Sequence, residues 1–409
     1  MKDFDELIRV CEEELQEQFA ERDAIAYKNQ VKVAEAFRKN RIALRHFAGT
    51  SGYGYGDEGR DTLNQLFADI FGTEAALVSP NLVSGTHALT VGLFGLLRAG
   101  DILFSVSGEP YDTLQDVIAG KDIGSFADYG IRFQKCDLIN GEFDFSAIRA
   151  GLADPRVKIV YIQRSRGYEW RDALSESQIA KVCSFVRECG FSGCIFVDNC
   201  YGEFVEETEP TQNGADIVVG SLIKNAGGGI VPTGGYIAGK REYVDKIAGR
   251  LTAPSIGAEV GSYAFGYQYF YEGVFLAPHV VNQALKGGLL IGACLEKLGY
   301  ETSPSVTSAP YDITRAIRFH TERELIGFIQ AVQEASPVDS FVTLEPWDMP
   351  GYQDKVIMAA GTFVQGASIE LSADAPVKEP YIAYFQGGLT YEHCKYALRL
   401  ILEKVCGAK

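Results

Sequence analysis

Two hydrophobic periods alternate along most of the chain. Apolar runs at 75–79, 101–106, 157–165, 194–198, 217–219 and 236–238 are short, rich in Val, Ile and Phe, and bounded by turn-forming residues, which predicts buried strands. Between them, segments at 2–38, 61–72, from Gly85 onward and at 175–188 repeat their apolar positions at helical spacing, with Leu7, Val10, Cys11 and Leu15 on one face of the first. That alternation predicts an α/β domain around a mostly parallel sheet. Residues 280–298 read as a long apolar helix leading out of it, and 252–261 as a loop entering a helix. Beyond Pro304 the pattern changes to a strand near 313–319, a helix over 322–335, strands near 356–363 and 367–371, and a final helix from Tyr391. The predicted organisation is a helical arm (1–44), a large domain (45–298) and a small α+β domain (299–409).

The chemistry concentrates at 216–239, DIVVGSLIKNAGGGIVPTGGYIAG. Lys224 lies there in an otherwise apolar, glycine-bounded hairpin. A buried amine is costly unless it is paired, neutralised or covalently bonded, and a Schiff base with a carbonyl cofactor meets that condition. Upstream, CIFVDNCYGEF opens as an apolar strand ending in Asp198. A strand-terminal acid opposite a lysine hairpin suits pyridoxal phosphate, whose ring nitrogen the acid holds protonated while the lysine takes the aldehyde. Ser84 can cap the helix opening at Gly85, and the free amides of its first turn would receive a phosphate; capping alone also accounts for the pattern. Tyr111 starts a helix after the second strand, where open parallel sheets place ligands, or serves only packing. Residues 45–60, RHFAGTSGYGYGDEGR, contain five glycines and two tyrosines without periodicity, a shaped loop. Arg164, Arg166 and Arg171 cluster beside Tyr168 and Trp170. A guanidinium here can hold a substrate α-carboxylate, with a plain surface loop as the competing reading.

With Ser221 three residues before Lys224, these motifs resemble the fold-type I pyridoxal-phosphate enzymes, and within them the aluminium-resistance, methionine gamma-lyase-like family related to cystathionine beta-lyase and gamma-synthase. The likeness runs through SGYGYGDEGRDTL, SGTHAL, QRSRGYEWR, VDNCYGEF, SLIKNAGGGI and YFQGGLTYEH. It implies a pyridoxal-phosphate-binding large domain with a seven-stranded sheet and a carbon-sulfur lyase acting on a sulfur amino acid. Lys224 would bond the cofactor and move protons, Asp198 would pair with the ring nitrogen and Tyr111 would stack on the ring. Ser84, Gly85, Thr86 and Ser221 would hold the phosphate, and Arg164 or Arg166 the substrate carboxylate. Tyr55 and Arg60 would reach a neighbouring subunit's phosphate, and the N-terminal arm would embrace that neighbour, in a homodimer at least and a homotetramer by the family's habit. Ile223 stands where the related lyases have threonine, and a glycine triplet (227–229) follows the lysine, so one phosphate hydroxyl is missing and the substrate wall differs. An aminotransferase, or a non-catalytic amino-acid-binding protein, would use the same lysine and aspartate.

Composition narrows the partners. Of 409 residues, 46% are hydrophobic and 22% charged, which is ordinary for a globular protein with a large core. A net charge of −16 offers no basic stripe to nucleic acid. The acidic N-terminus lacks a signal-peptide core, and no uninterrupted apolar run of about 18 residues predicts a membrane span. Nine scattered cysteines without framework spacing suit a reducing cytoplasm, and five histidines without zinc spacing predict no metal site.

Overall fold

The computed structural model describes residues 4–348 and 354–407. Seven strands form the central sheet: β1 (Ala75–Ser79), β2 (Ile102–Ser105), β3 (Arg132–Lys135), β4 (Val157–Gln163), β5 (Cys194–Asp198), β6 (Ile217–Ser221) and β7 (Gly235–Gly239). Their order is β1-β7-β6-β5-β4-β2-β3. The pairs from β3 through β6 are parallel, whereas β7 runs antiparallel to both β6 and β1. The lysine hairpin is thus the turn between β6 and β7.

Both faces of this sheet are covered, which is why its central strands are continuous apolar runs rather than alternating ones. The strand period of two sorts them by parity. Leu103, Ile159, Tyr161, Phe196, Ile217 and Val219 face one core layer. Val160, Ile162, Ile195, Val197 and Val218 face the other.

A second, five-stranded antiparallel sheet holds β8 (Glu301–Ser303), β9 (Thr314–Arg318), β10 (Val356–Ala359), β11 (Ser372–Pro376) and β12 (Ile382–Gln386), ordered β10-β11-β12-β9-β8. Helices Glu322–Ala335 and Tyr391–Cys406 pack with it around a separate core. The two cores meet along the helix Gln268–Lys297. Val274, Val281 and Leu285 belong to the first, Leu290, Cys294 and Leu295 to the second. This helix is apolar and long enough to cross a membrane, but most of its apolar window is buried inside the molecule.

Three expectations are corrected. The long helix begins at Gln268, with Pro278 inside it, rather than at 280. Proline costs a lone helix about 3 kcal/mol, but burial of Phe270, Tyr271, Val274 and Ala277 around it offsets that loss. No strand forms at 367–371. Glu370 turns back to accept from the amides of Phe363 and Val364 at 2.9 Å each, so the chain curls there and the strand follows at β11. The N-terminal segment, expected as one helix over 2–38, splits into Phe4–Glu14 and Gln16–Lys39, and its apolar face packs within its own chain. Ile8, Cys11, Leu15 and Phe19 are buried in the small-domain core, Phe19 meets the Tyr391 ring edge-on at 5.5 Å, and Glu12 accepts from Lys395 at 2.8 Å.

The glycine triplet has a packing reason. Gly228 and Gly229 take φ of +56° and +78°, the left-handed region that favours glycine. A Cβ on Gly227 or Gly228 would collide with the carbonyl of Leu222 or of Gly273. The lysine turn is therefore pressed against the long helix backbone to backbone, and Gly273 is the matching small residue on that helix.

Candidate active site

Five segments that carry the candidate chemistry leave the carboxyl ends of β1, β2, β4, β5 and β6, the position where open α/β sheets bind ligands. Parity explains how they converge. Asp198 continues the Cys194 and Phe196 face of β5, and Ser221 the Ile217 and Val219 face of β6. Gln163 is the register partner of Asp198 on β4. All three, with Tyr161, lie on the side where the helix Gly85–Leu96 begins, and all line one cavity of about 210 Å³. Ser84, Gly85, Thr86, Tyr111, Tyr168, Cys200, Tyr201, Lys224 and, from the second sheet, Thr314, Asp374, Tyr384 and Gln386 complete its walls.

Asp198 is 6% exposed. Its Oδ1 accepts from the Cys200 amide at 3.1 Å and its Oδ2 from the Tyr161 hydroxyl at 3.4 Å. Burial holds this carboxyl above the usual range, and the nearby Lys224 offsets only part of that rise. For Lys224 burial acts the other way, pushing the ammonium down. The surrounding Cys200, Tyr201 and Asp198 groups outweigh it and hold the amine above the usual lysine value. Lys224 Nζ lies 4.1 Å from the centre of the Tyr201 ring. That ring is carried by a residue in the left-handed region, φ +74°, held there because Asn225 Nδ2 donates to the carbonyls of Tyr201 at 2.9 Å and Glu203 at 3.1 Å. Strained backbone fixed by neighbours concentrates at functional sites.

The opposite end of the cavity is built for an anion. Ser84 caps the twelve-residue helix by accepting from the His87 amide at 3.0 Å, leaving the Gly85 and Thr86 amides at the helix mouth. A Cβ on Gly85 would approach Ser221 Cβ to 3.2 Å and Cys200 Sγ to 3.5 Å, so glycine keeps this corner open. Thr86 and Thr113 hydroxyls share a bond of 2.8 Å at its rim. Between the two ends stands Tyr111, positioned by its amide donating to Gln163 Oε1 at 2.6 Å. The fit to pyridoxal phosphate is complete in kind. An amine for the aldehyde, a buried carboxylate for the ring nitrogen, an aromatic ring and an anion-binding helix mouth all face one cavity.

The arginines are placed differently from expectation. Arg164 is fully buried and does not line the cavity. Its Nε donates to Leu174 O, its Nη1 to Asn199 Oδ1 and Gly202 O, and its Nη2 to Glu206 at 2.7 Å, with Glu176 paired at 2.9 Å. Every side of the fork is occupied by the chain's own groups, so Arg164 ties the β5–β6 connection to β4 and has no donor turned to a substrate carboxylate. Arg166, 1% exposed, donates to Ser303 O at 2.6 Å and Oγ at 2.9 Å and is likewise outside the cavity lining. Tyr55 is 68% exposed, and Arg60 donates to Gly54 O and Glu259 O, so neither reaches the cavity of its own chain.

Sequence reading passed over Tyr201, Gln163 and the whole contribution of the second sheet. Tyr201 sits inside the VDNCYGEF motif, where a tyrosine three residues after the acid was the available signal. Thr314, Asp374, Tyr384 and Gln386 carry none, because only the tertiary approach of the second sheet brings them near Lys224.

A buried lysine and carboxylate at the carboxyl ends of a mainly parallel seven-stranded sheet, joined to a smaller antiparallel domain, define a fold-type I pyridoxal-phosphate protein. The Escherichia coli pyridoxal-5'-phosphate dependent protein YhfS shares the fold with a TM-score of 0.64 at 17% identity, over 93% of this chain and 96% of its own. The profile of the methionine gamma-lyase family matches residues 4–406, and the chain belongs to that family. It is 47% identical over 380 residues to the uncharacterised protein YnbB of Bacillus subtilis, covering 92% of this chain and 90% of that one. A Clostridium acetobutylicum structure, provisionally described as a cystathionine beta-lyase involved in aluminum resistance, superposes with a TM-score of 0.96 at 49% identity, over 98% of this chain and 95% of its own. Family membership implies pyridoxal 5'-phosphate as the cofactor.

Arg164→Met tests the structural role. Removing one partner of a buried charge cluster leaves Glu176 and Glu206 uncompensated, so unfolding in denaturant should show a loss of about 3–5 kcal/mol. A variant of unchanged stability with a selectively raised KM would return Arg164 to substrate binding.

Proposed function

We propose that the protein is a pyridoxal-phosphate-dependent carbon-sulfur lyase acting on a sulfur-containing amino acid. The observation that carries this reading is Lys224 and Asp198 at the ends of neighbouring strands in one cavity, with the anion-binding mouth of Gly85–Leu96 opposite. Bound pyridoxal phosphate supplies an aldehyde for an amine and a ring that withdraws the electron pair left at Cα. The remaining work falls to the chain. Asp198, kept from water by β4 to β6, holds the proton on the ring nitrogen. Gly85, Thr86 and Ser221 anchor the phosphate, and Tyr111 restricts the ring to one plane. Lys224 removes the proton from the substrate's Cα, and the electron pair of the breaking C–S bond leaves with sulfur, which is protonated to a free thiol. Tyr201 keeps the Lys224 amine aimed into the cavity.

An aminotransferase would need the same residues. Family membership and the lyase description of the Clostridium relative favour elimination. A panel of cystathionine, cysteine and methionine separates the readings. Thiol should appear with 2-oxo acid and ammonia in equal amounts, and Asp198→Asn should lower kcat at least 100-fold while the melting temperature stays within a few degrees. Oxo acid formed only in the presence of an amino-group acceptor, without thiol, would make it an aminotransferase.

We further propose that the active unit is a homodimer or a larger assembly of such dimers. Tyr53, Tyr55 and Phe265 are 71%, 68% and 89% exposed. They rise from two loops fastened together by Gly261 N to Tyr53 O at 3.1 Å and Ser262 Oγ to Gly52 O at 2.8 Å. An ordered aromatic surface of this kind marks an interface. Mixing Lys224→Ala chains with Tyr55→Phe/Arg60→Ala chains should restore activity to about half of one site's worth per dimer, if the loop serves a neighbour's cavity. Verified subunit exchange with no recovery would remove the loop from catalysis.

A further inference from the structure

From Cys200 to Glu207 the chain runs in turns and bends, and its backbone is held by side chains rather than by a ladder. Every carbonyl from Tyr201 to Glu207 accepts from one of them. Asn225 Nδ2 takes those of Tyr201 and Glu203, and Arg164 Nη1 donates to Gly202 O at 3.0 Å. The remainder fall to the N-terminal helix Gln16–Lys39. Asn29 Nδ2 donates to Phe204 O at 3.0 Å and to Glu206 O at 2.9 Å. On either side of it, Arg22 Nη1 donates to Val205 O at 3.4 Å and Lys32 Nζ to Glu207 O at 3.3 Å.

The backbone so held is one that would not hold itself. Tyr201 and Phe204 both take left-handed φ, +74° and +63°, a region that costs any residue with a Cβ. Phe204 and Val205 are buried, so their carbonyls need partners from the protein. Asn29 is fully buried as well, and its Oδ1 has no partner among the described residues; Asn225 repeats that pattern. Both asparagines therefore serve through their two N–H donors. The two grips meet at the active site. Asn225 directly follows Lys224, and Tyr201 stretches from the turn to the second domain, with its ring 4.1 Å from Lys224 Nζ and its hydroxyl 3.0 Å from Ser368 Oγ. The groups that hold the Lys224 amine above its usual value, Cys200, Tyr201, Asp198 and Glu203, all lie within residues 198–203. Freeing the carbonyls of Phe204 and Glu206 would let the chain leave the left-handed region three residues from Tyr201.

We propose that Asn29 is a positioning residue for the active site: through the carbonyls of Phe204 and Glu206, the N-terminal helix holds Tyr201 against Lys224. The inference rests on the assignment of Lys224 to the cofactor, not on the reaction. Visible circular dichroism of the holoenzyme, per mole of bound pyridoxal phosphate, reads how asymmetrically the site holds its cofactor. Asn29→Leu keeps the side chain's size and removes both donors, so it should lose roughly half of that signal or more while still binding the cofactor. Ile8→Ala loosens the N-terminal segment where it enters the small-domain core, away from residues 201–207. It should lower the melting temperature by at least as much and leave the signal unchanged. Arg22→Leu, which frees Val205 O, should lose roughly a quarter of the signal or more, and it decides the matter if Asn29→Leu does not fold. An unchanged signal in the deciding variant overturns the proposal. An equal loss in Ile8→Ala also overturns it, by making the N-terminal segment a general support. A wild-type protein without a visible band would remove the cofactor assignment and this proposal together, whereas failure of the lyase panel with the expected dichroism would count against the reaction alone.

Discussion

Keeping an amine and a carboxylate together in a place made of hydrocarbon is the constraint on which the rest of this structure depends. Asp198 lies at the end of a strand whose every residue is buried, and Lys224 begins the turn after the neighbouring strand. Either charge alone there would cost several kcal/mol, on the order of the whole stability margin of a domain. Together, with the Cys200 amide, the Tyr161 hydroxyl and the Tyr201 ring as partners, they persist. The surrounding elements can be read as conditions for this. Strand parity turns Asp198 and Ser221 to one face, Asn225 holds the left-handed Tyr201, and the glycines at 227–229 and 273 let the lysine turn press on the long helix.

The second condition is closure from the side. The sheet alone would present Lys224 at an open crevice, but the helix Gln268–Lys297 shares residues with both hydrophobic cores and sets the second sheet against the strand ends. Its β9, β11 and β12 supply Thr314, Asp374, Tyr384 and Gln386. The cavity walls divide accordingly: the seven-stranded sheet and its loops carry Lys224, Asp198 and the helix mouth at Gly85, and the five-stranded sheet carries Thr314, Asp374, Tyr384 and Gln386.

This division also marks what the sequence could and could not reveal. The strands at 75–79, 194–198 and 217–221, the Ser84 cap and the helices at 322–335 and from Tyr391 are written in local periodicity and turn chemistry, and they appear at or within a residue or two of their expected places. Lys224 and Asp198 stood out because each is anomalous for its surroundings. Arg164 misled for a related reason. Its density of donors beside aromatic residues suggests a ligand site, and nothing local announces that Leu174, Asn199, Gly202, Glu176 and Glu206 will consume them. Ser372–Pro376 escaped notice because SADAP is a poor strand by propensity and owes its form to pairing with β10 and β12. Asp374 was hidden with it.

The central claim is that Lys224, among all the lysines of the chain, bonds the cofactor. Borohydride reduction of the purified protein, followed by digestion and mass spectrometry of the peptides, addresses it most directly. The account predicts loss of the visible absorbance and one modified peptide, spanning residues 216–239 and carrying the reduced pyridoxyl phosphate on Lys224. Modification at another lysine, or a protein reconstituted with pyridoxal phosphate that yields no reduced adduct, would contradict it.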